Sequence, residues 1–154
     1  EPFLEGAWGS RRFDGEGISS KRRPIIENGV LKTYFVDTYY GKKLDMAPTG
    51  GTSNLVFNPG AADLDTLCAQ VGDAILITGF LGGNSNGTTG DFSHGFDGFL
   101  IKDGKRAQPL AGMNIAGNHT ELWKTLEAIG SDVYLLSPLR APSLLFAPQM
   151  VAGK

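Results

Sequence analysis

The sequence is short of the residues that most often announce a mechanism. It has one cysteine and two histidines in 154 residues. That excludes an internal disulfide and leaves few soft donors for a metal, while a domain of this length buries enough surface to stand without a crosslink. An excess of one charge is also missing: 14 basic against 16 acidic residues give a formal net charge of −2. The chain therefore lacks the electrostatic reason to grip a polyanion along its length, and nucleic acid is not an expected partner. No apolar run approaches the roughly 20 residues that cross a bilayer as a helix, and no charged-then-apolar leader opens the residues. These absences predict a soluble, cytoplasmic protein with no membrane partner. The chain starts at Glu1 and not Met, so it reads as a processed chain or as part of a longer one.

What is abundant is glycine, with 22 residues, about twice the usual ~7%. Because the glycines have no fixed period, they signal many turns between short strands. With 41% hydrophobic residues, the composition fits one globular domain across residues 1–154. Arg22 to Asp37 reads as a hairpin, RRPIIE and VLKTYFVD flanking Asn28-Gly29, a dipeptide that accepts the positive φ values of a type I′ turn. Phe96 to Pro109 repeats the device around Asp103-Gly104. Ala74 to Phe80 has the length of a buried strand, and DVYLL from Asp132 and SLLFAPQMVA from Ser143 are strand-like, with Pro138 and Pro142 between them.

Two helices are expected. In DLDTLCAQVG, Leu64, Leu67, Cys68 and Val71 form one apolar stripe, Asp63 sits at the positive end and Gly72 follows the last turn. In NHTELWKTLEAIG, Asn118 caps, Glu121 reaches back, Leu122, Trp123, Leu126 and Ile129 form the buried face and Gly130 ends the helix. A short helical turn is also expected near Tyr39 to Leu44. The sum is an α+β fold, mainly β: an antiparallel, curved or barrel-like sheet of about eight short strands with two amphipathic helices.

Chemistry has few places to reside. Leu81 to Gly90 reads as a polar, mobile glycine-rich loop, but it lacks a Gly-Lys-Ser/Thr ending and leads into a strand near Asp91, unlike a phosphate-binding loop. His94, His119 and Cys68 are far apart in sequence, without the paired spacing of a zinc site. Cys68 falls on an apolar stripe, where it acts as a small hydrophobe, and His119 falls in the first turn of a capped helix, where a surface position is expected. His94, beside small residues on a presumed strand, has the better claim to face a cleft. Ser93 and His94 are adjacent and point to opposite faces of a strand, so they cannot form a nucleophile and base pair. The basic segments SRR at Ser10 to Arg12 and SKRR at Ser20 to Arg23 frame Asp14 and Glu16 and read as a solvated turn.

In order along the chain, RRFDGEG, IENGVLKTYFVD, KKL, PTGG, GTTGDFSHGFDGFLIKDGK, IAGN and AIGSDV resemble the C-terminal part of the TldD/PmbA family, labelled modulators of DNA gyrase. The resemblance runs from about Arg11 to Val133 and more loosely into the tail. It implies that an N-terminal domain is absent from this chain. It also implies a place in a system where TldD-type and PmbA (TldE)-type chains associate into a zinc metallopeptidase acting on unfolded peptides. In that system only the TldD-type chain carries an HExxxH helix, completed by a Cys near its C-terminus. After GSDV this sequence reads YLLSPLRAPSLLFAPQMVAGK and offers no Cys, and Cys68 does not match that position. The resemblance thus points to the PmbA/TldE-like branch, a subunit with no catalytic or metal residue of its own and no cofactor, zinc being expected only in a catalytic partner.

The family pattern further singles out Thr89, Gly90, Asp91, Phe92 and Ser93, with Pro48, Thr49 and Gly50, as near the peptide cleft or partner interface, and His94 joins them. The expected partners are a second copy or a TldD-like chain, and an unfolded peptide. Two other readings stay open: a binding module without a proteolytic role, or part of a self-sufficient metallopeptidase whose HExxxH helix lies upstream.

Overall fold

The computed structural model describes residues 1–153. In chain order its elements are β1 (Ile26–Glu27), β2 (Val30–Leu31), α1 (Thr38–Leu44), β3 (Leu55–Val56), α2 (Leu64–Val71), β4 (Ala74–Ser85), β5 (Asp91–Lys102), β6 (Lys105–Asn118), α3 (His119–Leu122), β7 (Leu126–Ile129), β8 (Leu139–Arg140), β9 (Leu144–Phe146) and β10 (Val151–Ala152). A 3-10 turn at Trp123–Thr125 separates α3 from β7. The chain divides into two compact units. One comprises Glu1–Asn58 with Val133–Ala141, and the other comprises Pro59–Asp132 with the segment from Pro142 onward.

In the first unit both halves of the Asn28-Gly29 turn adopt positive φ, 51° and 76°, and close β1 on β2, as the dipeptide predicts. Asp37 caps α1 by accepting from the Tyr40 N–H at 2.7 Å. Gly41, an apparent weakness in that helix, is buried, and a Cβ there would lie 2.9 Å from the Met46 carbonyl oxygen. The helix therefore tolerates glycine because the returning chain needs the space. β3 pairs with β8 in parallel.

The second unit is built on an antiparallel sheet in the order β10-β6-β5-β4. Its β5–β6 turn repeats the positive φ pair, Asp103 at 49° and Gly104 at 75°. Period-2 alternation sends Phe92, His94 and Phe96 to one face of β5, and Phe92, Phe96 and Ile115 form the core with Ile75, Ile77, Met113, Leu122 and Val151 packed against them. Asp63 caps α2 through the Thr66 N–H, Leu67 is its buried residue and Gly72 ends it.

Several expectations change. Among the described residues the sheet is open, with β4 and β10 as unjoined edges and no closed barrel. Among the described residues there are ten strands in four sheets and three short helices. The helix expected from Asn118 to Gly130 stops at Leu122. Asn118 does cap it, accepting from the Thr120 N–H at 3.0 Å, but Glu121 pairs with Lys124 at 2.8 Å instead of reaching back. Leu126–Ile129 instead becomes β7, paired with β9, because the apolar positions that suit a helix stripe also suit a short ladder, and a partner strand is present. DVYLL is not a strand; only Leu139–Arg140 in that region forms one. Strand β4 runs through Ser85, so the first half of the expected mobile loop is ladder.

Candidate functional site

The open end of the β4–β5–β6 sheet gathers most of the singled-out residues. Here β4 is irregular, with register shifts between Ile77 and Gly79 and between Phe80 and Gly83. Gly82 and Gly83 take φ values of 115° and 138°, a region closed to ordinary side chains. A Cβ on Gly83 would overlap the Ser93 carbonyl and the His94 ring. Glycine is required at this bulge because the Ser93 carbonyl and the His94 ring occupy the space where a side chain would stand.

The remaining loop, Asn86 to Gly90, is a closed turn. Asn86 Oδ1 accepts from the N–H groups of Thr88 at 2.9 Å and Thr89 at 3.2 Å, and its carbonyl accepts from the Gly90 N–H at 2.8 Å. The N–H groups of Asn86, Thr88, Thr89 and Gly90, which a phosphate could use, are thus already engaged. Asp91 opens β5 and accepts from Asn118 Nδ2 at 2.9 Å and from the Thr89 hydroxyl at 2.7 Å. The Asn118 bond, then the Thr89 bond, holds its carboxyl below the usual carboxylate range. Asn118 also donates to the Thr89 carbonyl at 2.8 Å, and the His119 N–H donates to the Gly90 carbonyl at 2.8 Å. Through these bonds the loop fixes where α3 begins.

The consequence is a constellation that sequence spacing concealed. His94 and His119, the only histidines, both place Nε2 beside one hydroxyl: Ser85 Oγ lies 3.0 Å from the first and 3.4 Å from the second. Phe92 orients the rings, stacking on His94 with centroids 5.7 Å apart and on His119 at 4.6 Å, while Phe80 meets His94 edge-on at 5.6 Å. A hydroxyl has one proton and two lone pairs, so Ser85 donates to at most one of the imidazoles and accepts from any Nε2 that carries a proton, which links the two tautomers. Ser85 and His119 were missed as site residues. The signal for Ser85 is cross-strand register, since it stands opposite Phe92, and register is invisible in a local motif. Spacing alone predicts a surface position for His119, whereas it is half-buried against Phe92.

Ser93 faces away from His94, as alternation requires, and exchanges 3.3 Å contacts with Asn114. A pocket of about 260 Å³ there is lined by Asn84, Asn86, Asp91, Phe92 and Ser93. Thr89 and Gly90 form the corner, with Gly90 at φ 83°. Pro48, Thr49 and Gly50 belong to the other unit, where they work as a scaffold. The Thr49 hydroxyl donates to the Tyr34 carbonyl at 2.6 Å and accepts from the Val36 N–H at 2.9 Å, Arg23 donates to the carbonyls of Thr49 and Gly50, and Pro48 packs over Gly41.

An open antiparallel sheet whose glycine-bulged edge strand ends in a polar and aromatic corner defines a β-rich domain. The family described as PmbA/TldA metallopeptidase C-terminal domain matches residues 1–153, and the chain belongs to it. The metalloprotease PmbA homolog of Haemophilus influenzae is 35% identical, over 99% of this chain and 35% of its own. A Bacteroides thetaiotaomicron protein whose crystal structure carries the label modulator of DNA gyrase superposes with a TM-score of 0.94 at 50% identity, covering all of this chain and 36% of its own. TldE from Thermococcus kodakarensis shares the fold at a TM-score of 0.85 and 24% identity, over 99% of this chain and 38% of its own. The chain thus spans about a third of the length of these relatives.

Zinc, which the family's description implies, does not fit the donors present. Among the described residues no group of three or more His, Cys, Asp or Glu could hold a metal ion. The two imidazoles face a serine hydroxyl. Asp91 is engaged by Asn118 and Thr89. Cys68 sits half-buried on α2, and burial, then the charge of Asp65, pushes its thiol up, away from the thiolate a metal requires. Nor is any helix of the described residues long and apolar enough to cross a membrane.

Proposed function

We propose that this chain is the C-terminal domain of a PmbA/TldE-type, non-catalytic subunit that pairs with a TldD-like zinc metallopeptidase and helps enclose an unfolded peptide. Both compact units belong to that one domain, a reading supported by the family match across residues 1–153. The observation that carries the non-catalytic role is the state of the candidate donors. Each is satisfied by a protein neighbour or held neutral, so bond cleavage is organised by atoms outside these residues. Peptide recognition is supported by the outer edge of β4, which has no strand partner beyond it. An edge strand binds extended chains through main-chain hydrogen bonds, indifferent to most side chains. Thr89, Gly90, Asp91, Phe92, Ser93 and His94 lie where that edge ends, and Pro48, Thr49 and Gly50 brace the other unit. The setting is cytoplasmic, and the partner is a TldD-like chain or a second copy.

The test is assembly. Analytical ultracentrifugation of the full-length protein, with and without a TldD-like chain, is expected to show a dimer in at least one condition. A monomer in both would sink the proposal. Stoichiometric zinc retained after dialysis by the full-length protein alone would favour a self-sufficient enzyme instead.

A further inference from the structure

The basic segment Ser10 to Arg12, left aside by the function above, forms one side of a pocket of about 310 Å³ in the first unit, lined by Pro2, Phe3, Leu4, Ser10, Arg11 and Arg12. Its frame is tied down from below. Asn54, 1% exposed, accepts from the Gly9 N–H and donates to the Glu1 carbonyl and the Ser10 hydroxyl, each at 2.9 Å. A Cβ on Gly9 would stand 2.9 Å from Asn54 Oδ1, so the turn cannot lift away.

Within this frame the two arginines differ from their basic neighbours. Arg22 is paired with Glu1, and Arg23 donates to two carbonyls and lies over Phe35. Among the described residues, Arg11 and Arg12 enter no ion pair, and the Arg11 Nε is buried without a hydrogen-bond partner. Asp14 lends Arg11 a nearby negative charge, but its oxygens accept from the N–H groups of Glu16, Ile18 and Gly51. Gly51 leaves the room: a Cβ there would come within 3.0 Å of an Arg11 terminal nitrogen. No carboxylate lines the pocket.

We propose that this pocket binds a carboxylate carried on an apolar group. The free donors are guanidinium N–H groups in planar forks, which match a planar two-oxygen anion. The N–H groups of Ser10 and Arg11, which a tetrahedral phosphate could use, are occupied by the Ala7 and Pro2 carbonyls, and the Ser10 hydroxyl donates to the Leu4 carbonyl. Phe3 and Leu4 supply the wall for the apolar part.

Isothermal titration of the intact protein at constant ionic strength, with N-acetyl-leucine, N-acetyl-leucinamide and inorganic phosphate, tests this. The acid is expected to bind saturably, with the amide and phosphate at least about tenfold weaker. Arg12→Gln, an exposed position that leaves the fold intact, should weaken the acid about tenfold. Arg11→Lys, which keeps the charge and loses the fork, should weaken it by a similar factor. No saturable binding of the acid, equal binding of the amide, phosphate binding as tightly as the acid, or unchanged affinity in Arg12→Gln would each overturn the proposal.

Discussion

The two Asx-Gly hairpins start from the same chemistry and end differently. Asn28-Gly29 closes strands of two residues each, whereas Asp103-Gly104 closes strands of 12 and 14. Their turn geometry is nearly superimposable, with φ near 50° and then 75° in both. What differs is what the flanks can bury. Ile26 and Val30 remain 67% and 53% exposed, while Phe96 and Ile101 in the longer hairpin are fully buried. A turn dipeptide nucleates a reversal; an apolar face with something to pack against sets how far the ladder runs.

That comparison is sharpened most by removing its cause. Phe96→Ala is expected to cost about 3–5 kcal/mol, read as a fall in the urea midpoint, while Val30→Ala in the short hairpin should stay within about 0.5 kcal/mol. Equal effects would mean that burial does not separate the two. Alanine at the two turn glycines comes next. Gly29→Ala meets open space and only the φ penalty, about 1–2 kcal/mol. Gly104→Ala pays the same penalty and also drives a Cβ to 2.7 Å from Ala69 Cα on α2, so thermal unfolding should show about 1–3 kcal/mol more.

The far end of the longer hairpin gives two smaller effects. Ser85→Ala removes the hydroxyl between His94 and His119. It should cost about 1 kcal/mol and change the tautomer signature of both rings in nitrogen NMR together; a change confined to one ring would refute the shared bond. Asp91 has a depressed carboxyl, so its contribution to stability is present above the ordinary carboxylate pKa and is lost as pH falls through the folded value. Because the group is exposed, the effect is small. Asp91→Asn should lower stability slightly at neutral pH and make little difference in acid, which flattens the acid limb of the stability profile below about pH 4, and a loss of equal size at pH 7 and pH 3 would contradict the assignment.

Local chemistry was legible wherever a residue acts on its immediate neighbours. The acidic start of α2 at Asp63, the inward Leu67, both positive-φ turns and the start of β5 at Asp91 could all be read from spacing, whereas Val71, expected on the same stripe, stays exposed. Features decided by a distant partner were not. Leu126–Ile129 has a helical period until β9 offers it a ladder, and the β4 extension through Ser85 depends on glycines that look like loop. The same limit hid the site. His94 and His119 are 25 positions apart (119 − 94) and meet only through strand register and the Asn118 link, while Thr49 and Gly50, legible as a family pattern, take part in hydrogen bonds that brace the first unit.

The central claim is that cleavage chemistry belongs to a partner. Native mass spectrometry of the full-length protein mixed with a TldD-like chain reads assembly and metal together. The account predicts a mixed complex whose zinc leaves with the partner when the complex is dissociated; zinc travelling with this protein, or no complex at all, would contradict it.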